Sequence, residues 1–157
     1  MSVPETRPIV IGCMLLLLTG CASAVAAMMG EPTPYRTDFE LLGSWHGTRA
    51  EQTGEAEYTI NTSVNPNTDP SIMAEFNMLK SAELAQEEGY TYVVVLTPQK
   101  DLVRTFVEIN RITGTRSVVG ENYLSELEIR LANVADPDLP SFSAIEILAE
   151  LGPKHLN

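Results

Sequence analysis

Residues 69–96 constrain the fold of this chain more than any other stretch. They read as an amphipathic helix over residues 70–88, then Gly89, then an apolar run over residues 90–96 that is typical of a buried strand. Asp69 suits the N-cap of the helix, with Pro70 at its first position, and Gly89 is placed to end it in the left-handed conformation. Because the junction between helix and strand is so short, we expect the helix to lie back across the sheet that the strand joins.

The helix and the strand that precedes it each show one apolar face. Residues 55–64 alternate with a period of two, which predicts a half-buried strand. Residues 39–48 are its predicted partner strand, with Gly54 in the turn between them. The helix has apolar residues at helical spacing, which predicts the buried stripe. The predicted buried residues of the strand are Ala56, Tyr58, Ile60, Thr62 and Val64, and those of the helix are Ile72, Phe76, Leu79, Ala82 and Ala85.

The second half of the chain adds two more elements and a less regular segment. Leu127, Ile129 and Leu131 alternate with charged residues, which predicts a strand with one solvent-exposed face. Residues 136–140 are a predicted loop. Residues 105–112 fit either a strand of a long hairpin or an irregular excursion within residues 98–120.

Near the C-terminus, residues 143–151 predict a helix that the Gly-Pro pair at 152–153 ends. Ile145, Leu148 and Ala149 lie at helical spacing in it. The resulting order, β-β-α-β-(β)-β-α, predicts an α+β fold: a two-layer sandwich in which two helices cover an antiparallel or mixed sheet.

The N-terminal segment differs from the rest of the chain. Residues 9–18 form an apolar run, too short for a bilayer core of about 30 Å but suited to the apolar region of a signal peptide. It leads into Leu18-Thr19-Gly20-Cys21, which resembles the lipobox of bacterial lipoproteins. That resemblance implies cleavage before Cys21 and acylation of its thiol. Two alternatives stay open: an uncleaved anchor that extends to Met29, and a plain secretory signal cut near residues 22–24.

The lipobox resemblance divides the chain into three parts. Residues 1–20 are a predicted lipoprotein signal peptide, residues 21–38 a lipidated flexible tether with Pro32 and Pro34, and residues 39–157 a single α+β domain. The membrane is the expected partner through the lipid on Cys21. Because Ala22, and not an aspartate, follows the cysteine, the resemblance implies the outer membrane, facing the periplasm, as the location.

Part of the mature chain is also similar to a family of small bacterial lipoproteins. The family resemblance implies the fold and the envelope location, and it implies no activity. This chain departs from the family at Ser81, where the family is expected to have alanine. A second departure is residues 98–120, which have no counterpart in the family. The matching segments are Phe76 and residues 79–85, residues 88–95 with Gly89-Tyr90, and residues 144–153.

The charge and the cysteine usage of the chain exclude several classes of function. A formal net charge of -11 repels nucleic acid, so we expect no nucleic-acid partner. Both cysteines, Cys13 and Cys21, precede the domain, which excludes thiol chemistry there. The two histidines, His46 and His155, are distant in sequence, whereas zinc prefers three or four close ligands. We therefore predict no catalytic residue, no metal site and no cofactor, and lipidation of Cys21 as the one modified position.

Three hypotheses for function follow from these observations. The first is a non-enzymatic envelope lipoprotein that acts as a structural or interaction module with an envelope protein partner, through an exposed sheet face or residues 98–120. The second is a small periplasmic hydrolase using acidic residues such as Glu87-Glu88 or Glu126 and Glu128. The third is a lipoprotein that binds a cation or another ligand on its acidic surface. Residues 65–69 are rich in oxygen atoms but lack the pattern of an EF-hand, so we interpret them as a turn and helix cap.

Overall fold

The computed structural model describes residues 31–35, 39–41, 44–109 and 112–156. The predicted signal segment, Cys21 and most of the predicted tether lie outside these residues. The described part of the chain confirms the α+β prediction, with seven strands and two helices. In chain order the elements are β1 (Phe39–Leu41), β2 (Ser44–Gly54), β3 (Glu57–Val64), α1 (Ile72–Glu87), β4 (Tyr92–Val95), β5 (Lys100–Ile109), β6 (Arg116–Ala132), β7 (Ser141–Ser143) and α2 (Ala144–His155).

Strands β2 to β7 form one antiparallel sheet, and the short β1 pairs antiparallel with the start of β2. Strand β6 organises the sheet because it is 17 residues long. One edge of β6 pairs with β3. Its other edge pairs with β5 over its first part and with β4 over its last part, and β7 lies outside β4. Of the two alternatives predicted for residues 98–120, a hairpin or an irregular excursion, the structure therefore shows the hairpin.

The predicted alternation of β3 is confirmed, because Tyr58, Ile60, Thr62 and Val64 are all buried. Leu127, Ile129 and Leu131 of β6 join the same core. The predicted partner strand over residues 39–48 is wrong in its bounds. It is two strands, β1 and β2, and β2 continues to Gly54 because its pairing with β3 continues that far. The turn that follows β2 consists of Glu55 and Ala56, and Ala56 adopts the left-handed conformation, with φ 56°.

Helix α1 begins two residues later and ends one residue earlier than the sequence predicts, with Ser71 and not Asp69 at the N-cap position. The carboxylate of Asp69 accepts a hydrogen bond from the backbone N–H of Ser71 at 2.9 Å, and regular helix begins at Ile72. This bond holds the pKa of Asp69 below its usual value. At the other end Gly89 has φ 78°, and the N–H of Tyr90 donates to the carbonyl of Ala85 at 2.7 Å. The predicted left-handed terminator is confirmed.

The buried face of α1 is confirmed in its main residues. Phe76, Leu79, Ala82 and Ala85 are all within 1% of complete burial, whereas Ile72 is half-buried at the rim of the core. The helix packs on the sheet and against α2. Its buried face also carries Asn77 and Ser81, which are fully buried. The departure from the expected alanine at Ser81 is accommodated because its hydroxyl donates to the carbonyl of Asn77 at 2.7 Å.

The C-terminal helix differs from the prediction in its end and in its buried face. Helix α2 passes through Pro153 and ends at His155, since a proline near the end of a helix removes one backbone bond of the last turns and no more. Its buried residues are Ala144, Ile147, Leu151 and Gly152, whereas Ile145 and Ala149, two of the residues at helical spacing in the sequence, are exposed. Ile145 is 74% exposed. In the described residues, no helix is long and apolar enough to cross a membrane.

The folded unit takes in residues that the sequence places in the tether. Residues 32–157 form one compact unit. Thr33 and Tyr35 are buried in it. The Tyr35 ring packs edge-on against Phe76 at 5.2 Å between centroids, and its hydroxyl donates to Glu83 at 2.7 Å. These contacts extend the core by one large aromatic side chain that periodicity does not reveal.

Candidate binding surface

The sheet has a face that is turned away from helix α1, and we call it the open face. Side chains alternate along a strand, so the residues between the core positions of β3 and β6 point to this face. Asn61 of β3 lies beside Arg49 of β2 on one side and Glu126 of β6 on the other. Lys100 of β5 completes this row beyond Glu126. Charged and amide side chains from four strands therefore form a continuous row.

A hollow of about 430 Å³ lies over this row, and we call it the open-face hollow. Strands β2, β3, β5 and β6 all contribute to its lining, and its mouth is wide. Its lining mixes apolar, aromatic and cationic side chains with two acidic ones, Glu51 and Glu126. Aromatic side chains and arginine are enriched in protein-binding surfaces. The lining residues used below are Trp45, Arg49, Asn61, Leu102, Arg104 and Leu124.

Trp45 and Arg49 form one wall of the hollow. They are four residues apart on β2, so both side chains project to the same face. The Arg49 guanidinium carbon lies 4.7 Å from the Trp45 ring centroid, which is cation–π distance. Stacking orients the planar guanidinium against the ring. The wall thus presents a flat aromatic surface together with a planar cation.

A glycine lies between these two residues on β2. Gly47 has φ 112°, a conformation that favours glycine, and it is paired in register with Ser63 of β3. Across β6, Leu124 pairs with Ser63 and Leu102 pairs with Leu124. Ser63 is 1% exposed, and among the described residues its hydroxyl has no hydrogen-bond partner.

The charges around the hollow are partly neutralised within the sheet. The Lys100 ammonium lies 3.5 Å from a carboxylate oxygen of Glu126 and 3.9 Å from one of Glu128. The hydroxyl of Thr97 also donates to Glu128 at 3.0 Å. Glu126 and Glu128 are therefore engaged by a cation and a hydroxyl on their own sheet. Arg49 and Arg104 enter the hollow from opposite walls, on β2 and β5.

A buried polar network lies beneath the sheet on the helix side. The Thr62 hydroxyl donates to the side-chain oxygen of Asn77 at 2.7 Å, and the Asn77 amide donates to Ser125 at 2.8 Å and Gln99 at 3.2 Å. Thr62, Asn77 and Ser125 are all at least 97% buried. Hydrogen bonds of this kind are directional, so they hold β3 and β6 in one register against α1. The network thereby fixes the two strands that form the floor of the hollow.

The two histidines occupy different settings, and neither joins the hollow. His46 is a half-buried residue of β2, and burial lowers the pKa of its imidazole. His155 is held at the C-terminal end of α2. Its Nε2 atom lies 2.6 Å from Glu75, and its ring packs edge-on on Phe76 at 5.1 Å. The structure does not bring His46 and His155 together.

The other polar groups that the sequence singles out have structural partners or lie apart. Glu87 and Glu88 are exposed at the end of α1. The Asn65 side chain accepts hydrogen bonds from the N–H of Asn67 at 3.1 Å and from Thr68 at 2.9 Å, which forms the turn before α1. Among the residues that the structure describes, no three histidine, cysteine or acidic side chains group as metal ligands do.

Sequence reasoning missed the open-face hollow, although part of the signal was present. Trp45 and Arg49 share a face once β2 is known to run to Gly54, whereas the predicted strand stopped at residue 48. Arg104 and Leu102 reach the hollow through the pairing of β5 with β6, over a sequence distance that periodicity cannot bridge. Cys21, the predicted lipidation site, lies outside the described residues.

Comparison of the chain with known protein families, with curated proteins and with solved structures finds no match.

Proposed function

We propose that this chain is a lipid-anchored envelope protein whose domain binds an extended segment of another envelope protein in the open-face hollow. Support for the anchor is the apolar run over residues 9–18 that ends at Leu18-Thr19-Gly20-Cys21. Acylation of Cys21 would hold the chain on a membrane through two or three lipid chains, far more firmly than one chain does. The residue after the cysteine, Ala22, favours the outer membrane facing the periplasm.

One observation carries the binding role: Arg49 stacked on Trp45, facing Leu102 and Arg104 across a hollow of about 430 Å³. Tryptophan and arginine are the residue types that contribute most to protein–protein affinity. Planar guanidinium groups recognise carboxylates through paired hydrogen bonds. The partner segment is therefore expected to be a polypeptide that carries aspartate or glutamate between apolar residues.

The proposal predicts where crosslinks form in intact cells. A photoreactive amino acid is introduced at Leu102, in the hollow, and separately at Ile145, an equally apolar residue on α2 that is 74% exposed. The Leu102 position should yield a discrete crosslinked product. Mass spectrometry of that product should place the crosslink in an acidic segment of one envelope protein. The Ile145 position is the matched control and should yield none.

The same product should depend on the wall of the hollow. Arg49→Gln removes the cation and Trp45→Ala removes the ring that orients it, so either change should reduce the crosslink strongly. Thermal melts of both variants separate loss of binding from loss of folding. Equal products from Leu102 and Ile145, or a product that persists in folded Arg49→Gln and Trp45→Ala, contradict the proposal.

A further inference from the structure

Strands β5 and β6 continue beyond the rest of the sheet as a two-stranded hairpin. Strand β3 pairs with β6 from Tyr123 onward, whereas residues 116–122 pair with β5 alone among the described strands. Among the described elements, β5 packs mainly against β6. The hairpin turns at Gly114, which has φ 69°. Its tip, defined here as the described residues 112–116, therefore lies beyond the rest of the sheet.

The tip has a composition unlike the rest of the chain. Its sequence is Ile-Thr-Gly-Thr-Arg, with one isoleucine, one arginine and no acidic residue. Since this positive charge is included in the total of -11, the remainder of the chain carries -12. Ile112 is 95% exposed, and Val107, lower on the hairpin, is 48% exposed. An exposed β-branched side chain on the same hairpin tip as an exposed arginine is suited to an anionic, partly apolar surface.

The N-terminal connection enters the domain at the same end of the sheet from which the hairpin projects. The hydroxyl of Thr33 accepts the N–H of Asn65 at 3.1 Å, and the N–H of Thr33 donates to Thr68 at 2.7 Å. Asn65 directly follows Val64, the residue of β3 that pairs with Tyr123, where the hairpin begins. Both the start of the folded chain and the hairpin therefore leave the domain beyond the C-terminal end of β3.

Eleven residues lie between Cys21 and Thr33, and even a fully extended chain between these two reaches only about 40 Å. On the proposed function, on which this inference rests, that length keeps the domain close to the bilayer that holds Cys21. An acidic domain so close to anionic lipid is repelled over most of its surface. The tip carries an exposed basic and an exposed apolar side chain, and it lies at the end of the domain where the tether begins.

We propose that the hairpin tip docks on the phospholipid surface that holds the lipid anchor, with Ile112 entering the interfacial region and Arg116 pairing with lipid phosphate. Together, tether and tip fix the orientation of the domain at two points. This orientation turns the opposite end of the sheet away from the membrane. The open-face hollow then lies beside the bilayer, at a defined height above it.

The experiment uses the full-length lipidated protein, purified from membranes and reconstituted in vesicles of phosphatidylethanolamine and phosphatidylglycerol. Ile112→Cys supplies a single reactive thiol, since Cys21 is acylated and the mature chain has no other cysteine. An environment-sensitive fluorophore is attached to it. Val134→Cys is the matched control, because Val134 is 77% exposed and follows the other end of β6.

The label at position 112 should shift its emission to the blue, be quenched by lipids that carry a spin label, and be protected from aqueous iodide. The label at position 134 should show the reverse. Adding Arg116→Glu to Ile112→Cys should reduce the lipid quenching, with a thermal melt to verify folding. Quenching of both labels by iodide alone overturns docking of the tip. Protection of position 112 from iodide without lipid quenching also overturns it, and points to contact with a second protein chain.

The intact mass of the same samples separates this inference from the proposed anchor. A mass that includes acyl chains and one fluorophore establishes that Cys21 is lipidated, so a negative quenching result then counts against the tip alone. A mass without acyl chains, with label on Cys21, overturns the anchor itself.

Discussion

The Nε2 atom of His155 lies 2.6 Å from the Oε2 atom of Glu75, which joins the last turn of α2 to the first turn of α1. The Lys154 ammonium adds a second contact to the same carboxylate at 3.4 Å. The hydrogen bond to His155 is the main reason that the pKa of Glu75 lies below its usual value, and the charge on Lys154 acts in the same direction. Two helices far apart in sequence are thereby held at their ends.

Glu75→Gln tests this contact through its pH dependence. A lowered pKa means that the carboxylate stabilises the fold above its unfolded-state pKa and loses this contribution as the pH falls through its folded-state pKa. Because the Glu75 side chain is 38% exposed, we expect a cost of at most about 1 kcal/mol at pH 7. The difference from wild type should shrink as the pH is lowered from 7 to about 3, because the folded-state pKa lies below the ordinary value of about 4.3. Urea unfolding at both pH values measures the difference in the free energy of unfolding, with Glu150→Gln on α2 as the control. An equal cost at both pH values would contradict a stabilising role for the Glu75 carboxylate.

Leu79→Ala should lower the free energy of unfolding by about 2–5 kcal/mol, because Leu79 is completely buried between α1 and the sheet. The neighbouring change Lys80→Ala, on the half-buried flank of the same helix, should cost less than about 0.5 kcal/mol. Chemical denaturation of the two variants gives the comparison. Similar losses from both would mean that the buried face of α1 is assigned incorrectly.

Asn77→Ala should lower the free energy of unfolding by about 1–3 kcal/mol, since it leaves the buried hydroxyl of Thr62 without its acceptor and that of Ser125 without its donor. Asn133→Ala is the control, because Asn133 is exposed after the end of β6. It should stay within about 0.5 kcal/mol of wild type. If the Asn77 variant is as stable as the Asn133 variant, the network does not hold the two strands.

A chain of residues 31–157 should fold without lipid, because it includes Thr33 and Tyr35 together with the whole described core. Both cysteines lie before it, so reducing agent should leave its thermal transition unchanged. Circular dichroism should show mixed helix and strand and a cooperative melt. A featureless spectrum that only detergent or a partner restores would show that the domain does not fold by itself.

Cys21→Ser should abolish incorporation of labelled palmitate and leave an unprocessed precursor, because the thiol is the acceptor of the lipid. Cys13→Ser is the matched control, since that cysteine precedes the expected cleavage site. It should leave acylation unchanged. Labelled fatty acid in the Cys21 variant, or none in wild type, would show that the lipobox resemblance misleads.

Most of the elements could be predicted because their signals are local. The alternation of β3 and the left-handed Gly89 depend on residues close in sequence, and both are confirmed. The buried face of α2 could not be predicted in the same way. Its sequence offers two apolar stripes, one with Ile145 and one with Ile147, and helical spacing fits both. Contact with α1 selects the second and leaves Ile145 exposed.

The sequence by itself determined the class of fold, the limits of α1 to within two residues and the face that α1 buries, because backbone preferences and apolar periodicity act over a few residues. Only the tertiary structure decided which strands lie side by side. Trp45 and Arg104 meet at one hollow because β6 is long enough to pair with β3 on one edge and β5 on the other. The physical reason is that strand pairing joins backbone groups distant in the chain, and no local pattern of side chains specifies their partners.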